Sequence, residues 1–179
     1  MAERTHGLPQ VIRACRVPVI AKVRGAAVGM GMDVALAADM RVCSEDAKFA
    51  MFYIKRGLIP DVGGAWFLPR LISWAKAAEI MYTGDFISGR QAEQFGFVNY
   101  CVPADDLDAK TDELAQKIGN GPPVATEMIK ASMLESDQLT LKQHLEQIAY
   151  FMSVINDSDD LKEGMRAWVE KRDPAFTGR

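Results

Sequence analysis

The order of secondary structure between residues 17 and 44 restricts the fold more than any other feature of the sequence. Residues 17–23 (VPVIAKV) form a short apolar, β-branched run that a proline opens, and this pattern predicts a buried strand. A glycine turn, a helical segment over Met32–Leu36 and a second strand (MRVCSE) follow. Strand, turn, helix and strand in this order build a parallel sheet with right-handed crossovers. We therefore expect an α/β fold.

Helices dominate the later part of the chain. Residues 47–53 are expected to be extended, and a short helix over Gly64–Leu68 is expected to stop at Pro69. After about residue 70, apolar residues recur at helical spacing, as in Leu141, Leu145, Ile148 and Met152. The sequence thus predicts an α/β portion that ends near residue 70 and a helical portion after it, with a break between two helices at residues 120–123 (NGPP).

Composition excludes several classes of protein. The 179 residues carry a net charge of −3 with acids and bases interleaved, which is unlike the basic footprint of a nucleic-acid binder. No apolar run reaches the roughly 18 to 20 residues of a membrane-spanning helix, and residues 1–6 lack a signal-peptide core, so we expect a cytoplasmic protein. The three cysteines form no C-x-x-C pair, and we expect them to be reduced and mostly buried.

Few side chains are available for catalysis. The two histidines, His6 and His144, lie near a terminus and on a C-terminal helix, so a Ser-His-Asp or Cys-His site is not expected. The sequence has no phosphate-binding G-x-x-x-x-G-K-[ST] loop, GAAVGMG does not fit G-x-G-x-x-G, and no ligand cluster predicts a metal site. Acid–base chemistry must therefore use a carboxylate or a tyrosine.

Residues 28–33 (VGMGMD) are one candidate site. Backbone N–H groups at the start of a helix can stabilise an oxygen that becomes negative during a reaction. The glycines could instead serve only the close packing of strand and helix. Asp33, in the first turn of this helix, could be a structural residue favoured by the helix dipole or a catalytic carboxylate.

Asp61, in GLIPDVGGAWFLPR, is the second candidate. It could cap the N-terminus of the helix that follows. It could also be a general acid or base whose pKa is raised by the apolar surroundings of Ile59, Val62, Trp66 and Phe67. The residues alone leave both interpretations open.

These segments together resemble the crotonase superfamily, the enoyl-CoA hydratase/isomerase family. The resemblance is carried by PVIAKVRGAAVGMGMDVALAADMRV, AKFAMFYIKRGLIPDVGGAWFLPRLI, TGDFISGRQAEQFGFVNYCVP and EGMRAWVEKRDPAFTGR, and so covers nearly the whole chain. It implies a partial ββα spiral core over residues 1–120 and a helical trimerisation region over residues 121–179. It also implies an acyl-CoA substrate and assembly as a homo-trimer or a dimer of trimers. No separate cofactor is implied, since coenzyme A is part of the substrate, and no metal, membrane or nucleic acid takes part.

The resemblance also assigns roles to individual residues. It places the oxyanion-hole amide at Met30, where the family usually has glycine, and catalytic carboxylates at Asp33 and Asp61. It places Gly29, Gly31, Tyr53 and Gly64 against the substrate; these join the catalytic residues in the predicted site. The hydratases use a second glutamate where this chain has Tyr53.

An aspartate in LIPDxGG resembles the isomerase branch, so the expected reaction is a shift of the acyl double bond by proton transfer through an enolate. Asp33 matches an aspartate of dienoyl-CoA isomerases, and the dehalogenase branch also has an aspartate at the place of Asp61. Enoyl-CoA hydratase is the alternative function, and a non-catalytic fragment or assembly protein is a second alternative. By comparison with the family, the N-terminal third is expected to be missing, and with it the first oxyanion amide.

Overall fold

The computed structural model describes the backbone of residues 2–179 and the side chains from Gly7 onward, so the side chains of residues 1–6, on which the expected localisation depended, lie outside it. The helices are α1 (Ala2–Ala14), α2 (Met30–Ala37), α3 (Gly64–Leu71), α4 (Trp74–Thr83), α5 (Gly89–Phe95), α6 (Leu107–Gly119), α7 (Pro123–Glu135), α8 (Leu141–Asn156) and α9 (Asp159–Glu170). The strands are β1 (Ile20–Val23), β2 (Ala26–Val28), β3 (Met40–Ser44), β4 (Lys48–Ala50), β5 (Ile87–Ser88) and β6 (Tyr100–Val102). Among the described helices, none is long and apolar enough to cross a membrane.

The strands form two small sheets. The first has the order β1-β3-β6 and is parallel throughout, with Ile20 opposite Met40 and Cys43 opposite Cys101. The second has the order β2-β4-β5, in which β2 and β4 are parallel and β5 is antiparallel to β4. The predicted parallel pair of β1 and β3 is therefore confirmed.

Several predicted boundaries were wrong. The first strand starts at Ile20 rather than at Val17, and β2 lies within the segment expected to be only a glycine turn. Strands β5 and β6 follow residue 70, where only helices were expected. The extended segment is limited to β4 and then becomes a 3₁₀ helix over Phe52–Arg56, and α3 continues through Pro69 to Leu71.

The described chain folds as two compact units. The first consists of residues up to Cys15 and Val19–Glu113, and the second of Arg16–Pro18 and Leu114–Arg179. The core of the first unit lies around the two sheets and α2, where Phe49 and Phe97 stack edge to face with ring centroids 5.5 Å apart. Aliphatic and aromatic side chains of this kind supply the main stabilisation of the unit through burial.

Arg41 fixes the C-terminal end of α2 inside this core. Its guanidinium, on β3, donates hydrogen bonds to the carbonyls of Ala38 (2.7 Å) and Ala35 (3.3 Å) and to the carbonyl of Phe97. Burial lowers the pKa of Arg41 to about 10. Carbonyls at the C-terminal end of a helix have no partner within the helix. The buried guanidinium supplies hydrogen-bond donors to those of α2 and holds the helix against the sheet.

The second unit is helical. Helix α7 starts at Pro123, at the predicted NGPP break. Helix α8 starts after Thr140, which forms a capping box with Gln143. Ser132 Oγ on α7 and His144 Nε2 on α8 lie 2.7 Å apart, so His144 is an interhelical residue. Asp160 on α9 accepts hydrogen bonds from the amides of Thr177 and Gly178, which ties down the C-terminal tail.

Cys15 is partly buried, Cys43 and Cys101 are buried, and all three are free, as expected. Burial raises the pKa of the Cys43 thiol well above its usual range. Both buried thiols are therefore poor nucleophiles.

Candidate functional site

A glycine turn joins β2 to α2. Gly29 has φ 56° and ψ −120°, a conformation in the left-handed half of φ space that glycine alone adopts easily. Its amide donates to the carbonyl of Ala50 on β4 (2.9 Å), and its own carbonyl accepts from the Met32 amide (2.9 Å). The turn is thus anchored to the sheet on one side and to the helix on the other.

The first amides of α2 are left free by this turn. Within the described residues, the backbone N–H groups of Met30 and Gly31 make no hydrogen bond. The side chain of Met30 is 50% exposed and does not fill the core. A pair of free amides at a positive helix end is suited to hold a carbonyl oxygen that gains negative charge.

Asp33 lies in the first turn of α2 and is fully buried. Its Oδ2 accepts a hydrogen bond of 2.8 Å from the Tyr53 hydroxyl. Its Oδ1 is buried and has no hydrogen-bond partner among the described residues. An ionised carboxylate in such a place is costly, because a buried charge needs more than one donor.

Burial accordingly raises the pKa of Asp33 above its usual range, and the nearby charge of Asp61 adds to this rise. The Tyr53 hydroxyl and the amides of Val62 and Gly64 act in the opposite direction without cancelling it. Asp33 therefore holds a proton more readily than an ordinary aspartate does.

Gly64, the first residue of α3, lies directly against Asp33. A Cβ atom at position 64 would be only 2.1 Å from Asp33 Oδ1 and 2.6 Å from Cε of Met51. Real Cβ atoms do not approach other atoms so closely, so a glycine is required here for the two helix starts to meet. Gly64 therefore shapes the space around the buried carboxylate.

Asp61 has a different environment from the one expected. It is exposed, in a turn before α3, and the residue that caps α3 is Gly63, so the capping interpretation of Asp61 was wrong. Of the apolar residues expected around it, Ile59 and Trp66 are 78% and 45% exposed, whereas Val62 and Phe67 are buried, and the Asp61 side chain itself stays exposed. Asp61 is thus a carboxylate that a ligand can reach directly.

Tyr53 lies beside the glycine turn and the buried Asp33. It lies on the 3₁₀ helix after β4, and its ring packs beside the glycine turn, 3.7 Å from the place where a Cβ of Gly29 would be. Burial raises the pKa of the Tyr53 hydroxyl, and the neighbouring Asp33 and Asp61 raise it further. The phenol therefore stays protonated and is a hydrogen-bond donor at physiological pH.

An apolar cavity of about 400 Å³ opens beside Tyr53. It is bounded by the segment before Asp61 and by α3 and α4, and its lining consists of Met51, Tyr53, Ile54, Leu58, Ile59, Pro60, Ala65, Pro69, Trp74, Ala77, Ala78, Met81 and Tyr82. No charged side chain lines it. Such a cavity favours an uncharged, apolar group.

The structure brings several residues predicted from the sequence together: Gly29, Met30, Gly31 and Asp33 lie at the start of α2, and Tyr53 and Gly64 lie against them. Asp61 lies on the turn that leads into Gly64. The hydrogen bond between Tyr53 and Asp33 and the cavity formed by α4 were not foreseen. The pairing of Val28 with Ala50 explains the hydrogen bond between Tyr53 and Asp33, because the segments that follow two paired strand ends lie close together. Across the described residues, no group of three or more potential metal ligands occurs.

Comparison with known proteins agrees with this architecture. The profile of the family described as "Enoyl-CoA hydratase/isomerase" matches residues 2–179. The chain is 34% identical over 179 residues to a "Probable enoyl-CoA hydratase" of Rhodobacter capsulatus, covering all of this chain and 70% of the relative. It is 36% identical over 166 residues to the peroxisomal "Delta(3,5)-Delta(2,4)-dienoyl-CoA isomerase" of Arabidopsis thaliana, covering 92% of this chain and 60% of the relative.

A solved structure gives the same result for the fold. An enoyl-CoA hydratase from Bacillus anthracis superposes with a TM-score of 0.96 at 31% sequence identity, covering 99% of this chain and 69% of that one. The expected α/β crotonase-type fold is therefore confirmed. The profile match over nearly the entire chain, together with these relatives, shows that the chain belongs to the enoyl-CoA hydratase/isomerase family of enzymes.

Proposed function

We propose that the protein is an acyl-CoA isomerase that moves a carbon–carbon double bond along the acyl chain, with Asp61 as the proton carrier. The observation that carries this proposal is the contrast between the two carboxylates: Asp61 is exposed beside an apolar cavity, whereas Asp33 is fully buried. Only Asp61 is accessible to a substrate carbon without a rearrangement. A single reachable carboxylate is enough to remove a proton from one carbon and return it to another.

The enolate that forms after proton removal needs stabilisation at the thioester oxygen. The free amide of Met30, at the start of α2, is the group we assign to this role. Each such donor lowers the barrier by about 3 kcal/mol in characterised oxyanion holes. Because only the N–H group takes part, the side chain at position 30 does not interfere.

The cavity beside Tyr53 is the place we assign to the acyl chain. Its apolar lining favours an uncharged acyl group, and it leaves the coenzyme A portion to more polar surroundings. Coenzyme A enters as part of the substrate, and the proposed reaction requires no metal or separate cofactor. We assign Asp33 an assisting role, in which its carboxylate holds the Tyr53 hydroxyl by a hydrogen bond.

The proposal is tested by following the conversion of a 3-enoyl-CoA to the conjugated 2-enoyl-CoA by ultraviolet absorbance. We expect Asp61→Asn to lower kcat by about 100-fold or more, because it removes the proton carrier and keeps the side-chain shape. The matched control is Asp46→Asn, which changes an exposed aspartate in the turn between β3 and β4. Equal rates for wild type and Asp61→Asn would rule out the assignment.

Enoyl-CoA hydratase is the second candidate. It is favoured by one feature, namely that the Tyr53 hydroxyl is hydrogen-bonded to the Asp33 carboxylate, an arrangement that can also orient a water molecule. Water addition to crotonyl-CoA separates the two functions. Rapid hydration with no isomerisation would support the hydratase, and binding of neither substrate would support a non-catalytic role.

A further inference from the structure

One face of α4 is uncharged and lines the apolar cavity beside Tyr53. The side chains of this face recur at helical spacing and are Trp74, Ala77, Ala78, Met81 and Tyr82. Two charged residues of the same helix, Lys76 and Glu79, lie off this face and form an ion pair with each other at 2.5 Å. The face is therefore suited to contact with a hydrocarbon chain.

Two aromatic rings mark the ends of this face. Trp74 and Tyr82 line the cavity although 74% and 73% of their surfaces are exposed. They are eight residues apart on α4, which corresponds to about 12 Å along the helix axis. Exposed aromatic side chains on the wall of a cavity indicate a surface that a ligand covers. A ligand that covers both rings must extend over a comparable distance.

Ala78 lies between the two rings, one helical turn from each. Its methyl group leaves the space between Trp74 and Tyr82 open, whereas a longer side chain at this position would divide that space. The neighbouring Ala77 is 2% exposed and belongs to the core, but Ala78 is only partly buried. The side chain at position 78 can therefore be enlarged toward the cavity at little cost to the core.

The size of the cavity limits the length of the acyl group. The cavity measures about 400 Å³. Because a water molecule takes about 30 Å³ in the liquid, the cavity has room for roughly a dozen non-hydrogen atoms. A short acyl group such as butanoyl would leave most of this apolar space unfilled, whereas an unbranched chain of about ten carbons fills it. Ile59 and Pro60, directly before Asp61, line the cavity, so its opening lies close to the proposed proton carrier.

We propose that the substrate is a medium-chain acyl-CoA with about ten acyl carbons, and that Ala78 determines this specificity by leaving the space between Trp74 and Tyr82 open. This inference rests on the proposed function, which assigns the cavity to the acyl chain. In this arrangement the reacting carbons are at Asp61 and the rest of the chain follows the uncharged face of α4. Each methylene group that moves from water into an apolar cavity raises the affinity about fourfold.

The test compares the dissociation constants of decanoyl-CoA and butanoyl-CoA by calorimetry, at ester concentrations below micelle formation. We expect wild type to bind decanoyl-CoA at least about 10-fold more tightly than butanoyl-CoA. Ala78→Leu places an isobutyl group between the rings, and we expect this ratio of affinities to fall by about 5-fold or more. Ala75→Leu makes the same change on the same helix, at an exposed position that does not line the cavity, and should keep the wild-type ratio.

A second variant makes the test independent of how well Ala78→Leu folds. Tyr82→Ser removes one of the two rings at an exposed position, where substitutions have little effect on stability, and should also lower the ratio. A wild-type ratio below about 10 would overturn the inference. An equal ratio in Ala78→Leu and Ala75→Leu would overturn it as well.

The readout is binding and does not depend on turnover, so the outcomes separate the inference from the proposed reaction. If the ratios behave as expected but no 3-enoyl-CoA is isomerised, the chain-length specificity holds and the isomerase assignment fails. If 3-enoyl-CoA esters are isomerised but the ratios do not respond to the substitution at position 78, the isomerase assignment holds and the role of Ala78 is refuted.

Discussion

Asp33 and Gly64 are two residues whose positions depend on each other. The carboxylate fills the space that any side chain at position 64 would need, and this contact joins the start of α2 to the start of α3. Neither residue can be enlarged without displacing the other. A movement of the backbone at Gly64 toward α2 would therefore bring it against Asp33 Oδ1.

Gly64→Ala is expected to lower the free energy of unfolding by about 2 kcal/mol, because its Cβ would overlap Asp33 Oδ1 and the core must shift. Urea unfolding measures this loss. Gly31→Ala is the matched control: it places a Cβ in open space within α2 and should leave stability unchanged or slightly higher. Equal effects of the two substitutions would contradict the steric argument.

Asp33 should make the stability of the protein depend on pH. Because burial raises its pKa in the folded state above the value of about 3.9 in the unfolded chain, the folded state holds the proton more tightly. The resulting stabilisation is fully present below about pH 4 and is lost as the pH rises through the folded-state pKa. Asp33→Asn does not titrate, so the free energy of unfolding of wild type should fall relative to that of the variant as the pH rises above about 4.

Urea unfolding across this range, with Asp46→Asn as the exposed control, measures the difference. A difference between wild type and Asp33→Asn that stays constant with pH would show that the folded-state pKa of Asp33 is not raised.

The sequence indicated which residues meet at the site but not how exposed they are. Asp33, Asp61 and the glycine turn were located from their local pattern and from the family resemblance. The burial of Asp33 and the exposure of Asp61 depend on the packing of α3 against α2, which arises from contacts between distant parts of the chain. Local sequence therefore gave the wrong environment for Asp61, which is exposed although its neighbours along the chain are apolar.

At the scale of secondary-structure elements, the position of α2 is determined by contacts at its two ends. Gly29 determines where the helix begins, and Arg41 on β3 binds the carbonyls at its other end. Moving either end would move the free amides of the first turn. The position of the candidate oxyanion site is thus set partly by a residue at the far end of the helix.

Arg41→Met should destabilise the protein by about 3 kcal/mol, because it keeps much of the buried volume but leaves the carbonyls of Ala35, Ala38 and Phe97 without a donor. Arg56→Met, at an exposed position of the 3₁₀ helix, is the control and should have little effect. The midpoint of urea unfolding distinguishes them, and similar midpoints would show that Arg41 does not support the helix end.

Strands β1 and β3 and helix α2 were predictable because their patterns are local. Strand β2 was missed since its three residues lie between two glycines and become a strand only by pairing with β4. Helix α3 continues through Pro69 because the helical backbone allows Phe67 and Leu68 to be buried. This burial stabilises the helix by more than the loss of one amide donor at Pro69 destabilises it.

At the scale of the molecule, the helical unit carries many exposed apolar side chains. Met133 on α7, Leu141 on α8 and Trp168 on α9 are 71%, 74% and 83% exposed. Large exposed apolar residues often mark a surface that is covered in an assembly. The homo-trimer or dimer of trimers expected from the family resemblance stays a prediction.

Trp168→Glu should weaken self-association, since a charge at a covered apolar position must be desolvated. Sedimentation velocity would then show a smaller species than wild type. Val11→Glu, at an equally apolar exposed position on α1 that is 70% exposed, is the control in the other unit. A wild-type protein that sediments as a monomer would contradict the expected assembly.

The cavity beside Tyr53 is lined by a tryptophan whose fluorescence can report ligand binding. Trp74, one of three tryptophans in the chain, lines this cavity while 74% of it is exposed to solvent. Indole emission shifts to shorter wavelength when water around the ring is replaced by hydrocarbon, so occupation of the cavity should be visible as a blue shift in fluorescence. Titration with acyl-CoA esters of increasing chain length, compared with the same titration of Trp74→Phe, would measure the length of the acyl group that the cavity accepts.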